Sequence, residues 1–261
     1  MGRLGRPTWG ATRSARRRSQ MENRMGIERS DLDAATSLLT FSNPANGNCV
    51  ESADLMALAA HLDDLSARPG LVSLIVTGAG SDFCKGRIAQ KDLTTAAQLA
   101  DDLNHILAVN ERLGRFPGLV IAAVEGEALG FGCGFATQCD VTIVGQDAQF
   151  ALPEMSHGLP PLIVLSYLTK YLPYKQAFEL ALTSRSISAE RAVEIGMATR
   201  AVPSGTALDD ARELSRFVQT LNPRAIRELR RYARRVASLH DDAFAQYGLF
   251  DIATILSEGR S

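Results

Sequence analysis

The sequence predicts an α/β fold in which strand–strand–helix units follow one another and a wholly helical region closes the chain. Three observations carry that prediction. Short apolar runs at 35–41, 71–76, 119–124 and 141–144 recur between stretches of helical spacing. Turns rich in glycine follow several of these runs. From residue 206 onward the pattern is helical only. Repeated units of this kind wind into a spiral rather than a doubly wound sheet.

Composition fits one domain with an appendage: 261 residues, 46% hydrophobic and 22% charged, enough for a single well-buried core. No apolar run approaches the ~18 residues of a membrane helix, so a cytoplasmic protein with no membrane partner is expected. Residues 1–24 hold seven arginines (Arg3, Arg6, Arg13, Arg16, Arg17, Arg18, Arg24) against one acid, Glu22. They show no periodicity and read as a disordered basic leader, either a transit peptide or a stretch upstream of a start at Met21 or Met25. The rest of the chain is acidic, which argues against a DNA partner. The spiral core is expected over 25–204 and the helical region over 205–261. Cys49, Cys84, Cys133 and Cys139 lack CxxC or Cys/His ligand spacing and read as reduced thiols with no structural metal.

In chain order, the strand from Ala35 to Phe41 runs into the loop Ser42–Asn48, after which Leu55, Leu58, Ala59, Leu62 and Leu65 mark a helix face. The strand 71–76 leads into Thr77-Gly78-Ala79-Gly80. A dinucleotide loop is excluded there, because Phe83 stands where the third glycine of GxGxxG belongs. Residues 92–114 read as a long helix broken once, carrying His105 among apolar neighbours. The strand 119–124, a glycine-rich turn, a short helix opening near Gly132, the strand 141–144 and a hairpin-like return to Pro153-Glu154 follow. Helices are expected at 165–171, 174–183 and 189–195, the last capped by Ser188, with a strand at 198–202. The closing helices are placed at 206–220, from Asn222 and Pro223 onward, and at 239–257. In the middle one, Ile226, Leu229, Ala233 and Val236 form the expected core face, and Arg224, Arg227, Arg230, Arg231, Arg234 and Arg235 cover the rest. These helices expose more apolar surface than one core buries, which predicts a homotrimer or a homohexamer, a dimer of trimers.

Two features carry chemistry. Gly130, Gly132 and Gly134 alternate where strand becomes helix, so backbone N–H groups at the helix start face a ligand and favour developing negative charge. Glu154 lies among Leu152, Pro153, Met155 and Leu159, so desolvation raises its pKa toward the working range of a general acid or base. Donors beside one poised carboxylate suit an enolate. Asp140 reads as a turn anchor and His157 as structural, and no G-x-S-x-G nucleophile motif is present.

The segments TGAGSDFCKGR, GFG, CD before VTIV, and AQFALPE together resemble the crotonase (enoyl-CoA hydratase/isomerase) superfamily. That resemblance implies a crotonase-like spiral of ββα units, a C-terminal trimerisation region, an acyl-CoA thioester substrate and no cofactor besides the coenzyme A it carries. It further implies backbone N–H groups of Arg87 and Phe131 as the oxyanion hole, Glu154 as the acid/base, and substrate contacts from Asn48, Cys49, Lys85, Gly86, Gly130 and Pro153. The arginines of the penultimate helix would then face CoA phosphates, and the long helix would wall the acyl pocket. Three departures stand out. Ile88 replaces the aspartate of Phe-x-x-Gly-x-Asp; Leu159-Pro160-Pro161 replaces a flexible Pro-Gly-Ala-Gly-Gly; and Gly134 stands where hydratases carry the first of two glutamates. One carboxylate suffices to move a proton between two carbons, whereas holding and activating water uses two groups. An enoyl-CoA isomerase-type proton transfer is therefore expected, ahead of a hydratase or an acyl-CoA decarboxylase. A non-catalytic acyl-CoA-binding or RNA-binding descendant of the fold is the alternative of another class.

Overall fold

The computed structural model describes residues 26–90 and 92–236. The expected leader at 1–24 and the helix at 239–257 lie outside them. The elements are β1 (Ile27–Asp31), β2 (Thr36–Phe41), α1 (Ser52–Ser66), β3 (Ser73–Gly78), α2 (Ala96–Arg115), β4 (Leu119–Val124), β5 (Glu127–Leu129), α3 (Phe131–Gln138), β6 (Val141–Gly145) and β7 (Gln149–Ala151). A 3-10 turn (Pro153–His157) follows, then α4 (Leu162–Leu168), α5 (Tyr174–Thr183), β8 (Ile187–Ser188), α6 (Ala189–Glu194), β9 (Arg200–Val202), α7 (Ala207–Gln219) and α8 (Pro223–Val236).

Six strands form one sheet in the order β1-β2-β3-β4-β6-β9, parallel except for the β1–β2 hairpin. Its central strands are buried on both faces, as parallel sheets require, and alternation sorts their side chains. Leu38, Ile75, Ile121 and Ile143 meet Ala207 and Ala211 of α7 on one face, while Leu39, Leu74, Val76, Val120 and Val144 join the main core on the other. Ser215 of α7 is pinned to the sheet by hydrogen bonds with Thr36 (2.7 Å) and Ser73 (2.6 Å).

A second sheet, β5-β7-β8, holds the site. After β4 the chain leaves the large sheet to form β5, and after β6 it does so again to form β7, parallel to β5. This corrects the hairpin-like return: Gln149 N donates to Gly126 O (2.9 Å), so β7 extends the second sheet instead of folding back on β6. The repeated step from one sheet to the other, followed by a helix, is the expected ββα spiral. Two further boundaries differ. α2 is one unbroken helix whose Thr95 cap accepts from Gln98 N (3.3 Å), and α4 begins at Leu162, directly after Pro161.

The largest difference is in α8. Its expected apolar face is turned outward, with Leu229 71% exposed, and the helix docks through its arginines. Arg230 is buried; it donates to Asp140 (2.6 Å), Leu113 O (2.9 Å) and Phe116 O. Arg234 donates to Asp140 (2.9 Å) and Gln138 O (2.6 Å). The end of α2 and the Gln138–Asp140 corner offer carbonyls and a carboxylate where a second apolar surface would be needed, and planar guanidinium groups satisfy several at once.

Candidate active site

Two backbone turns meet at the second sheet. The first is the entry to α3, where Gly130 has φ 50° and ψ −114°, a conformation that a residue with a Cβ avoids. Gly130 N donates to Ala151 O (2.9 Å) and Gly134 N to Gly130 O (3.0 Å), which fixes Phe131 as the first helical residue. The second turn is Cys84–Ile88, held by Cys84 N to Glu127 O (3.2 Å), Leu129 N to Cys84 O (2.9 Å), Val50 N to Gly86 O (3.0 Å) and Ile88 N to Val50 O (2.9 Å). Every bond in that set leaves Arg87 N–H and Phe131 N–H out, and among the described residues neither has an acceptor. The turns nearly touch: Gly86 Cα lies 3.9 Å from where a Cβ on Gly130 would stand. Two unpaired amides on adjoining turns are what a developing oxyanion requires.

The side chains of both donor residues point elsewhere. The Phe131 ring packs at 6.4 Å from Phe41, nearly perpendicular to it, and at 5.8 Å from Phe135. Arg87 forms an ion pair with Asp102 of α2 and donates to Ser52 of α1 (3.2 Å). Burial alone would raise the Asp102 carboxyl, but hydrogen bonds from Ser52 and Arg87 outweigh it and hold Asp102 below the usual carboxylate range. The loop is therefore anchored one residue before Ile88, by a side chain that ties it to α1 and α2.

Glu154 is the second residue of the 3-10 turn that Pro153 opens. Its Oε1 is 3.1 Å from the position of a Cβ on Gly130, so the carboxylate lies over the same turn that presents Phe131 N–H. Its Oε2 is buried and has no hydrogen-bond partner. Burial raises the Glu154 carboxyl, with its own backbone N–H and His157 opposing in part, so the carboxylate is a stronger base than an exposed one, which suits general acid–base work.

One turn along α3 is Gly134. A Cβ there would fall well under 3.0 Å from Tyr167 Oη and 3.2 Å from both Val164 methyls. The space where a side chain would stand is thus filled from α4. Sequence reasoning passed over Tyr167, which stands 33 positions from Gly134 with no motif around it. The available signal was Gly134 itself, since a helical glycine facing a core leaves room that another side chain must fill.

The remaining expected contacts divide. Gly86 and Gly130 stand at the meeting of the turns, and Pro153 sets the entry to Glu154. Asn48 is buried with every polar atom of its amide used: Oδ1 accepts from Asn43 N (2.8 Å) and Nδ2 donates to Ala79 O (2.8 Å) and Asp82 O (2.6 Å). It shapes its loop and has no side-chain bond to give a ligand. Lys85 is paired with Glu127, and its N–H is taken by Gly47 O (2.9 Å). Cys49 is half-buried, and burial raises its thiol. His105 sits half-buried beside Asp102, and His157 is exposed. Asp140 is an anchor that also accepts from Val120 N (2.8 Å). Arg230 and Arg234, committed to it inside the fold, do not face a CoA phosphate.

The chain matches known proteins over most of its length. The family model described as enoyl-CoA hydratase/isomerase covers residues 32–247. The 2,3-dehydroadipyl-CoA hydratase of Escherichia coli is 32% identical over 203 residues, 76% of this chain and 78% of that protein. Enoyl-CoA hydratase EchA19 of Mycobacterium tuberculosis is 29% identical over 233 residues, 85% of this chain and 86% of its own. Among solved structures, an enoyl-CoA hydratase from Mycobacterium smegmatis superposes with a TM-score of 0.84 at 21% identity, covering 88% of this chain and 90% of that one. With the spiral of ββα units, the paired donor turns and the Glu154 carboxylate beside them already in place, these matches identify the chain as a member of the enoyl-CoA hydratase/isomerase (crotonase) family of acyl-CoA enzymes.

Proposed function

We propose that the chain catalyses proton transfer within an enoyl-CoA thioester, moving a double bond from C3–C4 to C2–C3. The thioester oxygen accepts from Arg87 and Phe131 N–H, which stabilises the negative charge as it forms; one such donor is typically worth ~2.7–4 kcal/mol. The Glu154 carboxylate takes a proton from C2 to leave a dienolate, and the Glu154 carboxylic acid returns it to C4. Nothing is gained or lost, and one group serves both steps.

The observation that carries this reading is the filling of the Gly134 position by Tyr167 Oη and the Val164 methyls. Among the described residues it leaves Glu154 as the carboxylate over the Gly130 turn and takes up room a second one would need at Gly134. Hydration is the second reading, favoured by the names of the relatives, which are hydratases of CoA thioesters. One assay separates the two: purified protein is given 3-hexenoyl-CoA and crotonyl-CoA in parallel. Conversion of the first to its 2-enoyl isomer, with far slower water addition to the second, is expected; hydration as fast as isomerisation would overturn the proposal. The exposed apolar residues Phe217, Leu221 and Leu229 support assembly as a trimer or dimer of trimers, which light scattering at micromolar concentration would contradict by finding a monomer.

A further inference from the structure

The face of α2 that enters the core carries Ile106, Val109 and Leu113, and one turn before Ile106 the same stripe places Asp102. Asp102 and Ser52, the first residue of α1, are both buried. A carboxylate on a core stripe has to be paired, and here its cation comes from neither helix. Arg87 of the second donor turn reaches across with its side chain only 12% exposed: Nη2 donates to Asp102 Oδ2 and to Ser52 Oγ (3.2 Å), and Ser52 Oγ donates to Asp102 Oδ1. Three side chains thus close a ring that joins the turn to the start of α1 and the second turn of α2. Arg87 Nε is buried without a partner, and among the described residues Asp102 is the one carboxylate in an ion pair with this guanidinium.

The backbone on the other side of Arg87 does not hold itself. Gly86 has φ 116°, and the freedom of glycine leaves the orientation of the following peptide to outside contacts. That orientation decides where the donor points, because in a trans peptide the carbonyl and the N–H face opposite ways. Gly86 O accepts from Val50 N (3.0 Å), which turns Arg87 N–H away from Val50. Val50 lies two residues before Ser52, so the entry to α1 fixes this peptide at its carbonyl while the ring fixes it through the Arg87 side chain.

We infer that Asp102, with Ser52, is a positioning residue for the reaction: through the Arg87 guanidinium it holds Arg87 N–H in the direction from which that donor meets the thioester oxygen. The inference deepens the function proposed above and takes from it only the seating of that oxygen on Arg87 and Phe131 N–H. Ile88 leaves the turn without a carboxylate of its own at that position, and α2 supplies one from outside. Oxyanion donors act because they are in place before the charge develops, and a misplacement of about 1 Å costs on the order of 10²-fold in rate.

The test reads the thioester carbonyl directly. Butyryl-CoA, which has no double bond to move, is prepared with and without carbon-13 at its carbonyl, and the infrared difference spectrum isolates the bound C=O stretch. It is recorded on the full chain as wild type, as Asp102→Asn, and as the paired variant Arg87→Met with Asp102→Leu; both variants keep the backbone N–H and lose the ring. Wild type is expected to lower the stretch below its position in water, and both variants to lose most of that lowering. Calorimetric Kd for butyryl-CoA should rise by no more than about 10-fold, the worth of one neutral hydrogen bond. Turnover of 3-hexenoyl-CoA should fall about 10- to 100-fold in kcat. The paired variant leaves no unpaired ion in the core and decides the matter should Asp102→Asn unfold early. A wild-type band position or an unchanged kcat in a folded variant without the ring overturns the positioning role and leaves the two donors standing. A wild-type band no lower than in water overturns the seating of the thioester on those donors, and the inference with it.

Discussion

Gly134→Ala adds one methyl group to the interior of α3, and its effect separates two physical expectations. On helix propensity alone the change is favourable by about 1 kcal/mol, since glycine is a poor helix former. The packing says otherwise: the new Cβ would stand well under 3.0 Å from Tyr167 Oη and 3.2 Å from both Val164 methyls. Tyr167 is buried in the core, so moving its ring aside disturbs close-packed neighbours. Overpacking of a closed core costs about 1–3 kcal/mol, leaving a net loss of up to about 2 kcal/mol. Removing the phenol oxygen removes the contact under 3.0 Å and leaves the Val164 methyls at 3.2 Å as the nearest atoms, which a shift of a few tenths of an ångström relieves. In the Tyr167→Phe background Gly134→Ala should therefore be neutral or stabilising. Urea unfolding of wild type, both single variants and the double variant completes the cycle, with an expected coupling of about 1–2 kcal/mol at unchanged m-value. Stabilisation by Gly134→Ala in wild type, or an equal effect in both backgrounds, would refute the packing of Tyr167 over Gly134. The same geometry predicts that Gly134→Glu by itself does not install a working second carboxylate.

Two further outcomes follow from charge and burial. Glu154→Gln should raise the melting temperature at neutral pH, because burial raises this carboxyl in the folded state and ionising it there costs more than in the unfolded chain. The gap is full above the raised native value and closes as pH falls below the unfolded value, a sign that melting curves at several pH values would check. Asp140→Ala leaves the buried Arg230 and the half-buried Arg234 without their carboxylate and should cost about 3–5 kcal/mol. Release of α8 should then appear as early proteolysis within 223–236, and an unchanged cleavage pattern would contradict the docking described here.

The strands β2, β3, β4 and β6 of the large sheet were legible because each is a mostly apolar run buried on both sides. β1 was not: only Ile27 of its five residues is buried, the rest facing outward at a sheet edge. β5 and β8, three and two residues long, are too short to show a period, and without them the return after β6 reads as a hairpin. The face of α8 was misread because periodicity tells which residues share a side, not which side the protein supplies with acceptors; here Asp140 and the last carbonyls of α2 draw the arginines inward. At the site, glycine spacing and the apolar surroundings of Glu154 are local signals, visible in a few consecutive residues. Tyr167, the Asn48 hydrogen bonds and the Arg87–Asp102 anchor depend on contacts between distant segments, which no local pattern reports.

The central claim is that Glu154 is the one side chain that moves the proton. Glu154→Gln keeps the shape of the residue and removes its basicity, while the backbone donors of Arg87 and Phe131 stay in place. Turnover of the enoyl-CoA substrate measured beside acyl-CoA affinity should show a loss of two or more orders of magnitude in kcat, within the ~10²–10⁴-fold of general acid–base catalysis, with little change in Kd. Near-full turnover by Glu154→Gln on a substrate that wild type converts would contradict the claim.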